Sequence, residues 1–363
     1  MGLKCGIIGL ANVGKTTIFN CMSSTKALTS NVATGTGKSN ISTINVPDNR
    51  LYELEKFQPT ERIVHTTVEI VDIPGLSKTT GKGEGNKFLA DVRNCDALIH
   101  VLRCFDDPSL PHIDGSIDPV RDIETVNFEL QVRDLESVEK KLQKVEKAAK
   151  VGDKEAKKAF EVLLVYKNHL ESFKNASTVP VDEHDKKYVD DLFLLTTKPV
   201  IYVCNVDEKS AVNGNQYSKR VKEFLKDEKT EILIIAGKVE AEISELESED
   251  DRKAFLADVG LTEPGVNKLI RAAYSLLNLE TFFTVGPKEI RAWTIKKGMT
   301  APQAAGVIHS DLERGFIRAE VMKYNDFITL GSEHACREKG KLFVEGKNYV
   351  VEDGDILHIR FNV

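Results

Sequence analysis

Short apolar runs mark the first two thirds of the chain. Cys5-Gly-Ile-Ile-Gly9 ends in a glycine turn and is followed by helical residues from Lys15 to Met22. Val68-Glu-Ile-Val-Asp72, Ala97-Leu-Ile-His-Val-Leu102, Val200-Ile-Tyr-Val-Cys204 and Ile232-Leu-Ile-Ile-Ala236 repeat the pattern. Buried strands separated by helices predict a mostly parallel sheet with helices on both faces. Between about 125 and 195 the period changes. Leu135, Val138, Leu142 and Val145 follow a 3-4-3 spacing, the seam of an antiparallel helical hairpin or coiled coil. Val151-Gly152-Asp153 reads as its turn, and Phe160, Leu163, Leu170 and Phe173 as the returning helix.

The acid-rich segment Glu240 to Asp251 reads as a solvated helix face or loop. Ala272 to Phe283 reads as a helix leading into a last unit. There a strand (Ile290 to Ile295), a helix (Ala301 to His309) and short strands, two of them joined at Asp353-Gly354-Asp355, predict a small α+β domain. The expected domains are therefore 1–124 with 196–280, split by a helical insert at 125–195, and then 281–363.

Composition changes this picture little. Fifty basic against 56 acidic side chains leave a net charge of −6, which argues against a nucleic-acid coat protein without excluding a local basic patch. No apolar stretch is long enough for a transmembrane helix, and the start lacks the form of a signal peptide or a myristoylation site. Six scattered cysteines without a Cys-x-x-Cys pair read as buried reduced thiols, not a zinc site. The expectation is a cytoplasmic protein with no membrane partner.

The order of residues carries the chemistry. Gly9-Leu-Ala-Asn-Val-Gly14-Lys15-Thr16 fits G-x-x-x-x-G-K-[ST] between a strand and a helix. Its backbone N–H groups, from Asn12 and Val13 through Gly14 to Thr16 and Thr17, and the helix N-terminus suit phosphates. Lys15 is placed for the β- and γ-phosphates and the Thr16 hydroxyl for Mg²⁺. Val68 to Gly75 ends in D-x-x-G, so Asp72 is the second Mg²⁺ candidate, and Gly75 permits a backbone N–H close to the γ-phosphate. Leu76 stands where many GTPases carry the glutamine that orients attacking water; leucine cannot, so intrinsic hydrolysis should be slow. The Asn12 side-chain oxygen is a candidate to hold K⁺ against the phosphates, local loop hydrogen bonding being the other reading.

For the base, Asn205-Val206-Asp207-Glu208 follows a strand where GTPases carry Asn-Lys-x-Asp. Val206 replaces the lysine and Glu208 the aspartate, which favours ATP or relaxed specificity; a shift of Asp207 into the guanine-reading role leaves GTP open. Ala236-Gly237-Lys238 is the expected second wall of the base pocket.

Taken together, Gly9 to Thr16, Asp72 to Leu76 and Asn205 to Glu208 resemble the YchF-type Obg-like ATPases, and the likeness runs essentially end to end. It includes Val101-Leu-Arg-Cys-Phe105, Glu289-Ile-Arg-Ala-Trp293 and His358-Ile-Arg-Phe-Asn-Val363. The resemblance implies a P-loop GTPase-like domain, a coiled-coil insert and a C-terminal TGS domain of β-grasp type. It implies hydrolysis of ATP in preference to GTP and association with ribosomes. It also implies Thr36 as the switch threonine completing the Mg²⁺ shell, where the loop composition alone leaves Thr34 as a rival, and His112 as a participant in hydrolysis. Departures are Ala11 in place of the family's proline, Asn31-Val-Ala-Thr-Gly-Thr36 without the aromatic and proline anchors of the usual switch loop, and a glycine-rich segment at Gly83 to Phe88 shorter by two residues.

The leading expectation is a Mg²⁺-dependent ATPase acting as a ribosome-associated switch. Two others remain: a GTPase of the translation-factor type, and a ribosome- or RNA-binding adaptor with weak or vestigial hydrolysis. For the adaptor, residues 136–158 carry eight lysines against five acids, a net positive hairpin tip suited to ribosomal RNA phosphates.

Overall fold

The computed structural model describes residues 3–24, 40–75 and 82–362, the stretch 82–87 by its backbone alone. Among these, 3–24, 40–42 and 69–266 form one compact unit, and 43–68 with 267–362 a second.

In the first unit, β1 (Lys4–Ile8) pairs in parallel with β4 (Thr67–Asp72) on one side and β5 (Ala97–Cys104) on the other. Next to β5 come β6 (Val200–Val206) and β7 (Glu231–Ile235), also parallel. With β2 (Asn40–Asn45) at the far edge, the order is β2-β4-β1-β5-β6-β7. All eight residues of β5 are buried, as expected of a central strand covered on both faces. Helix α1 (Lys15–Ser23) leaves β1 through the glycine-rich loop, and α3 (Lys82–Arg93) precedes β5. Leu102, Cys104, Tyr202 and Cys204 pack with Ile123 of α4 (Pro119–Lys150), Val221 of α6 (Gln216–Phe224) and Val239 of α7 (Gly237–Glu245).

Helix α4 starts at Pro119, before the expected insert boundary at 125. Proline suits the first helical position, and the Asp118 carboxylate caps it by accepting the N–H of Val120. Its 32 residues make a helix about 48 Å long. Beyond the sheet it pairs with α5 (Lys154–Glu171) along the anticipated seam, where Val138, Val162, Leu163, Tyr166 and Leu170 are buried against Leu135, Leu142 and Val145. Buried Asp134 fastens the returning chain by accepting the N–H groups of Leu195 and Thr196. Phe173 lies past the end of α5, exposed and at φ 56°, so it is not part of the seam.

The acid-rich segment is two helices, α7 and α8 (Glu249–Asp258), the latter capped by Ser248. Glu240 is not solvated: it is buried and accepts N–H groups from Gly265 and Val266 at the start of α9 (Gly265–Leu276), where a helix end favours negative charge.

In the second unit, β8 (Leu279–Val285) and β9 (Ile290–Lys296) form an antiparallel pair. The expected helix from Ala272 to Phe283 therefore ends early. Asn278 turns the chain at φ 54°, and Leu279 to Phe283 continues as a strand rich in aromatic and β-branched residues. After α10 (Ala301–Ile308) and α11 (Ser310–Arg314) come β10 (Phe316–Lys323), α12 (Tyr324–Leu330), α13 (Glu333–Glu338), β11 (Leu342–Glu345) and β12 (Asp355–Phe361). The sheet order is β11-β10-β12-β8-β9-β3, with β3 (Ile63–Val64) paired to β9.

Residues 43–68, expected in the nucleotide domain, thus belong to this unit. Leu51 and Leu54 of α2 (Arg50–Phe57) pack against Phe283, Ile290 and Ile356, and Arg50 pairs with Asp353 at 2.7 Å. Apolar burial joins segments distant in sequence, which adjacency along the chain does not reveal. All six cysteines are buried free thiols, and no helix among the described residues is long and apolar enough to cross a membrane.

Candidate functional site

The glycine-rich loop leaves the C-terminal end of β1, in the middle of the sheet. Gly14 sits at φ 97°, a backbone that side chains rarely adopt, and a Cβ there would overlap the Asn205 amide. Lys15 is buried, and its Nζ donates to the Leu10 carbonyl at 2.6 Å. Burial lowers its pKa to about 8, against the opposing pull of Asp72. The Thr16 hydroxyl donates to Asp72 Oδ2 at 3.0 Å. Burial raises the Asp72 pKa, while the Thr16 hydroxyl and the Lys15 charge work against that rise. Gly75 closes on the same group. A Cβ at Gly75 would stand 2.6 Å from Lys15 Nζ and 3.1 Å from the Ala11 nitrogen. The structure thus brings Lys15, Thr16, Asp72 and Gly75 together. A hydroxyl and a carboxylate beside a buried cation form the hard-oxygen donor set that suits Mg²⁺ held jointly with phosphates.

Beside this group lies a cleft of about 860 Å³. Asn12, Gly14 and Thr17 line one side of it; Asn205, Val206 and Glu208 follow the end of β6; Gly237 and Lys238 line another side. Asn205 braces the whole. Its Nδ2 donates to the Val13 carbonyl at 2.9 Å, and its Oδ1 accepts the Gly237 N–H at 2.9 Å. Val13 and Ala236 therefore contribute from behind: both are buried and neither lines the cleft. Asp207 lines it, but its Oδ1 accepts from the N–H and hydroxyl of Ser210 at 3.1 and 3.0 Å, capping the turn that follows. Lys238 is exposed.

The cleft has a further wall that none of the sequence motifs marks. Phe105, Asp106, Asp107 and Leu110 line the cleft after β5. Arg103, 1% exposed, holds them from below. Its guanidinium donates to the carbonyls of Phe105 at 3.2 Å, Leu110 at 2.8 Å and Asp107 at 3.1 Å, and lies 4.9 Å from the Phe105 ring centre. An arginine inside a strand that is apolar apart from His100 is the signal that could have found this wall, because a buried guanidinium must find acceptors.

His112 stands apart. It does not line the cleft, and its side chain is 3% exposed. Nε2 meets Asp122 Oδ2 at 3.1 Å and Nδ1 accepts the Asp114 N–H at 3.1 Å. With both ring nitrogens engaged, no lone pair is left for a water, so the structure does not bring His112 into the hydrolytic group. Thr36 and Leu76 lie outside the described residues.

Comparisons with known proteins follow the same outline. Residues 4–206 match the family model of a 50S ribosome-binding GTPase domain, and 279–362 that of the YchF GTPase C-terminal region, described as a protein of unknown function. The ribosome-binding ATPase YchF of Bacillus subtilis (strain 168) is 46% identical, with all of both chains covered. The protein of the same name from Escherichia coli O157:H7 is 43% identical over the same full span. The solved Schizosaccharomyces pombe YchF GTPase matches with a TM-score of 0.88 at 32% identity, covering 99% of this chain and 98% of that one.

Proposed function

The chain belongs to the YchF family, and on that premise we propose that it is a Mg²⁺-dependent nucleotide hydrolase that prefers ATP and works as a ribosome-associated switch. The observation that carries the base preference is the state of the Asn205–Glu208 segment. The lysine and aspartate of a guanine reader are Val206 and Glu208 here, and Asp207, the aspartate between them, is engaged in capping its own turn.

The loop around Gly14 presents backbone N–H groups and the start of α1 to the phosphates. Lys15 adds a positive charge at the β- and γ-phosphates. The Thr16 hydroxyl and Asp72 carboxylate would hold Mg²⁺, which when bound would supply charge neutralisation for the phosphates. Gly75 lets the chain close on the γ-phosphate, and Thr36 is the switch threonine that senses it. Leucine at position 76 leaves the attacking water without the usual orienting amide, so intrinsic turnover is slow. K⁺ beside Asn12 is the candidate supplement. The helical insert built on α4 and α5 and a TGS-type C-terminal domain serve as the parts through which the nucleotide state is read.

Competition of labelled ATP by unlabelled ATP and GTP, followed by turnover with and without ribosomes and K⁺, tests this reading. ATP should compete better and ribosomes should change turnover. Tighter binding of GTP would overturn the base assignment, and turnover indifferent to ribosomes would overturn the switch.

A further inference from the structure

The helical hairpin carries charge that its own structure leaves unanswered. Within 136–158 every acid is occupied. Glu136 pairs with Arg133, Glu139 with Lys167, and Glu146 with Lys150. Asp153 caps α5 through the Ala156 N–H, and Glu155 accepts from Tyr188 and Lys187. Three of the eight lysines are also held: Lys150 as above, Lys141 by Asp191 and Lys158 by Asp185. The other five, Lys140, Lys144, Lys147, Lys154 and Lys157, are exposed and form no ion pair among the described residues. This stretch, of net charge +3, thus presents five lysines outside any ion pair against one acid, Asp153, that caps a helix without an ion-pair partner among the described residues.

Their placement is ordered. Lys140, Lys144 and Lys147 follow 4-3 spacing, which stacks them on one face of α4 over roughly 10 Å. Lys154 and Lys157 follow 3 apart on the first turns of α5, just past the tip. At that tip Val151 is 86% exposed and is the one large apolar side chain exposed in the stretch. A docking surface for protein is built on buried aromatic or arginine anchors, and none is offered here. A line of flexible point charges without an apolar centre fits a chain of phosphates.

We propose that this lysine stripe is a rail for the phosphate backbone of RNA. It rests on the ribosome-associated reading above and assigns the surface through which that association is made. The contact is sequence-independent, because ammonium groups on long stems position a backbone and read no base.

The test uses the full-length chain and its K140Q/K144Q/K147Q variant, with purified ribosomes and protein-free ribosomal RNA as probes, between 50 and 200 mM salt. Three lost phosphate contacts should lower the slope of log affinity against log salt by about 2 on both probes, and weaken binding about tenfold or more. ATP binding, measured alongside, should stay at the wild-type value and certify the fold. A variant with wild-type affinity and slope on both probes overturns the stripe and leaves ribosome association standing. Loss on ribosomes with no change on RNA overturns the RNA assignment in favour of an acidic protein surface. A wild-type chain that ignores ribosomes yet holds RNA through the stripe keeps this inference and removes the reading it rests on.

Discussion

The phosphate loop and the wall at 105–110 bound the same cleft by different means. The loop is shaped chiefly by its own backbone, with Asn205 bracing it at the Val13 carbonyl: Gly14 takes a conformation other residues avoid, and Lys15 and Thr16 follow it directly in sequence. The wall is positioned by one side chain beneath it, Arg103, which gathers three carbonyls spread over six residues. One device is a run of neighbouring residues with special φ values. The other is a buried charge whose solvation the protein itself must supply. The difference predicts that the loop fails at its chemistry when a side chain is removed, whereas the wall fails as a shape.

The largest expected effect comes from the loop. Lys15→Ala removes the charge proposed above to face the transferred phosphate, and ATP turnover should fall by about 10²–10³. Wild-type turnover in that variant would place hydrolysis elsewhere. Next is the wall. Arg103→Met leaves three carbonyls without their donor, at a cost of about 2–3 kcal/mol in a denaturant melt. ATP affinity should drop about tenfold, because the Phe105 and Leu110 side of the cleft loosens. Binding of inorganic tripolyphosphate, which meets the loop alone, should be unchanged. Equal losses for ATP and tripolyphosphate would show that loop and wall are one unit, and the comparison would break.

Legibility in the sequence divides along the same line. The parallel sheet, the hairpin seam at Leu135, Val138 and Leu142, and the Gly9–Thr16 loop are encoded by neighbours or by a fixed period, and each is found where it was expected. What escaped depends on partners far along the chain. Leu51 and Leu54 give no sign in their own segment that they pack against Phe283. Glu240 looks like one more surface acid until the start of α9 arrives to donate to it. Asn205 was legible as a motif residue, but its brace from Val13 to Gly237 is a tertiary fact. His112 shows the converse: a residue placed by resemblance, whose ring is taken up by Asp122 and the Asp114 N–H.

The last effect is nil at neutral pH and separates loop from wall only on the alkaline side. Burial brings the Lys15 pKa in the free protein to about 8, with Asp72 pulling the other way. Bound phosphates favour the charged form and raise it. Below pH 8 the free protein already holds the proton, and ATP affinity should be flat with respect to this group. Above pH 8 the free protein has lost the proton and binding must take it up, so affinity should fall, by at most tenfold per pH unit. Lys15→Arg keeps its charge throughout this range and should bind ATP without the break. Adenosine has no phosphates and meets the wall and the base segment only, so its affinity should pass through pH 8 unchanged. A parallel fall for adenosine and ATP would assign the titration to the wall. ATP affinity flat to pH 9.5 would mean that the loop holds phosphate by its backbone N–H groups, with Lys15 acting only once the transferred charge develops.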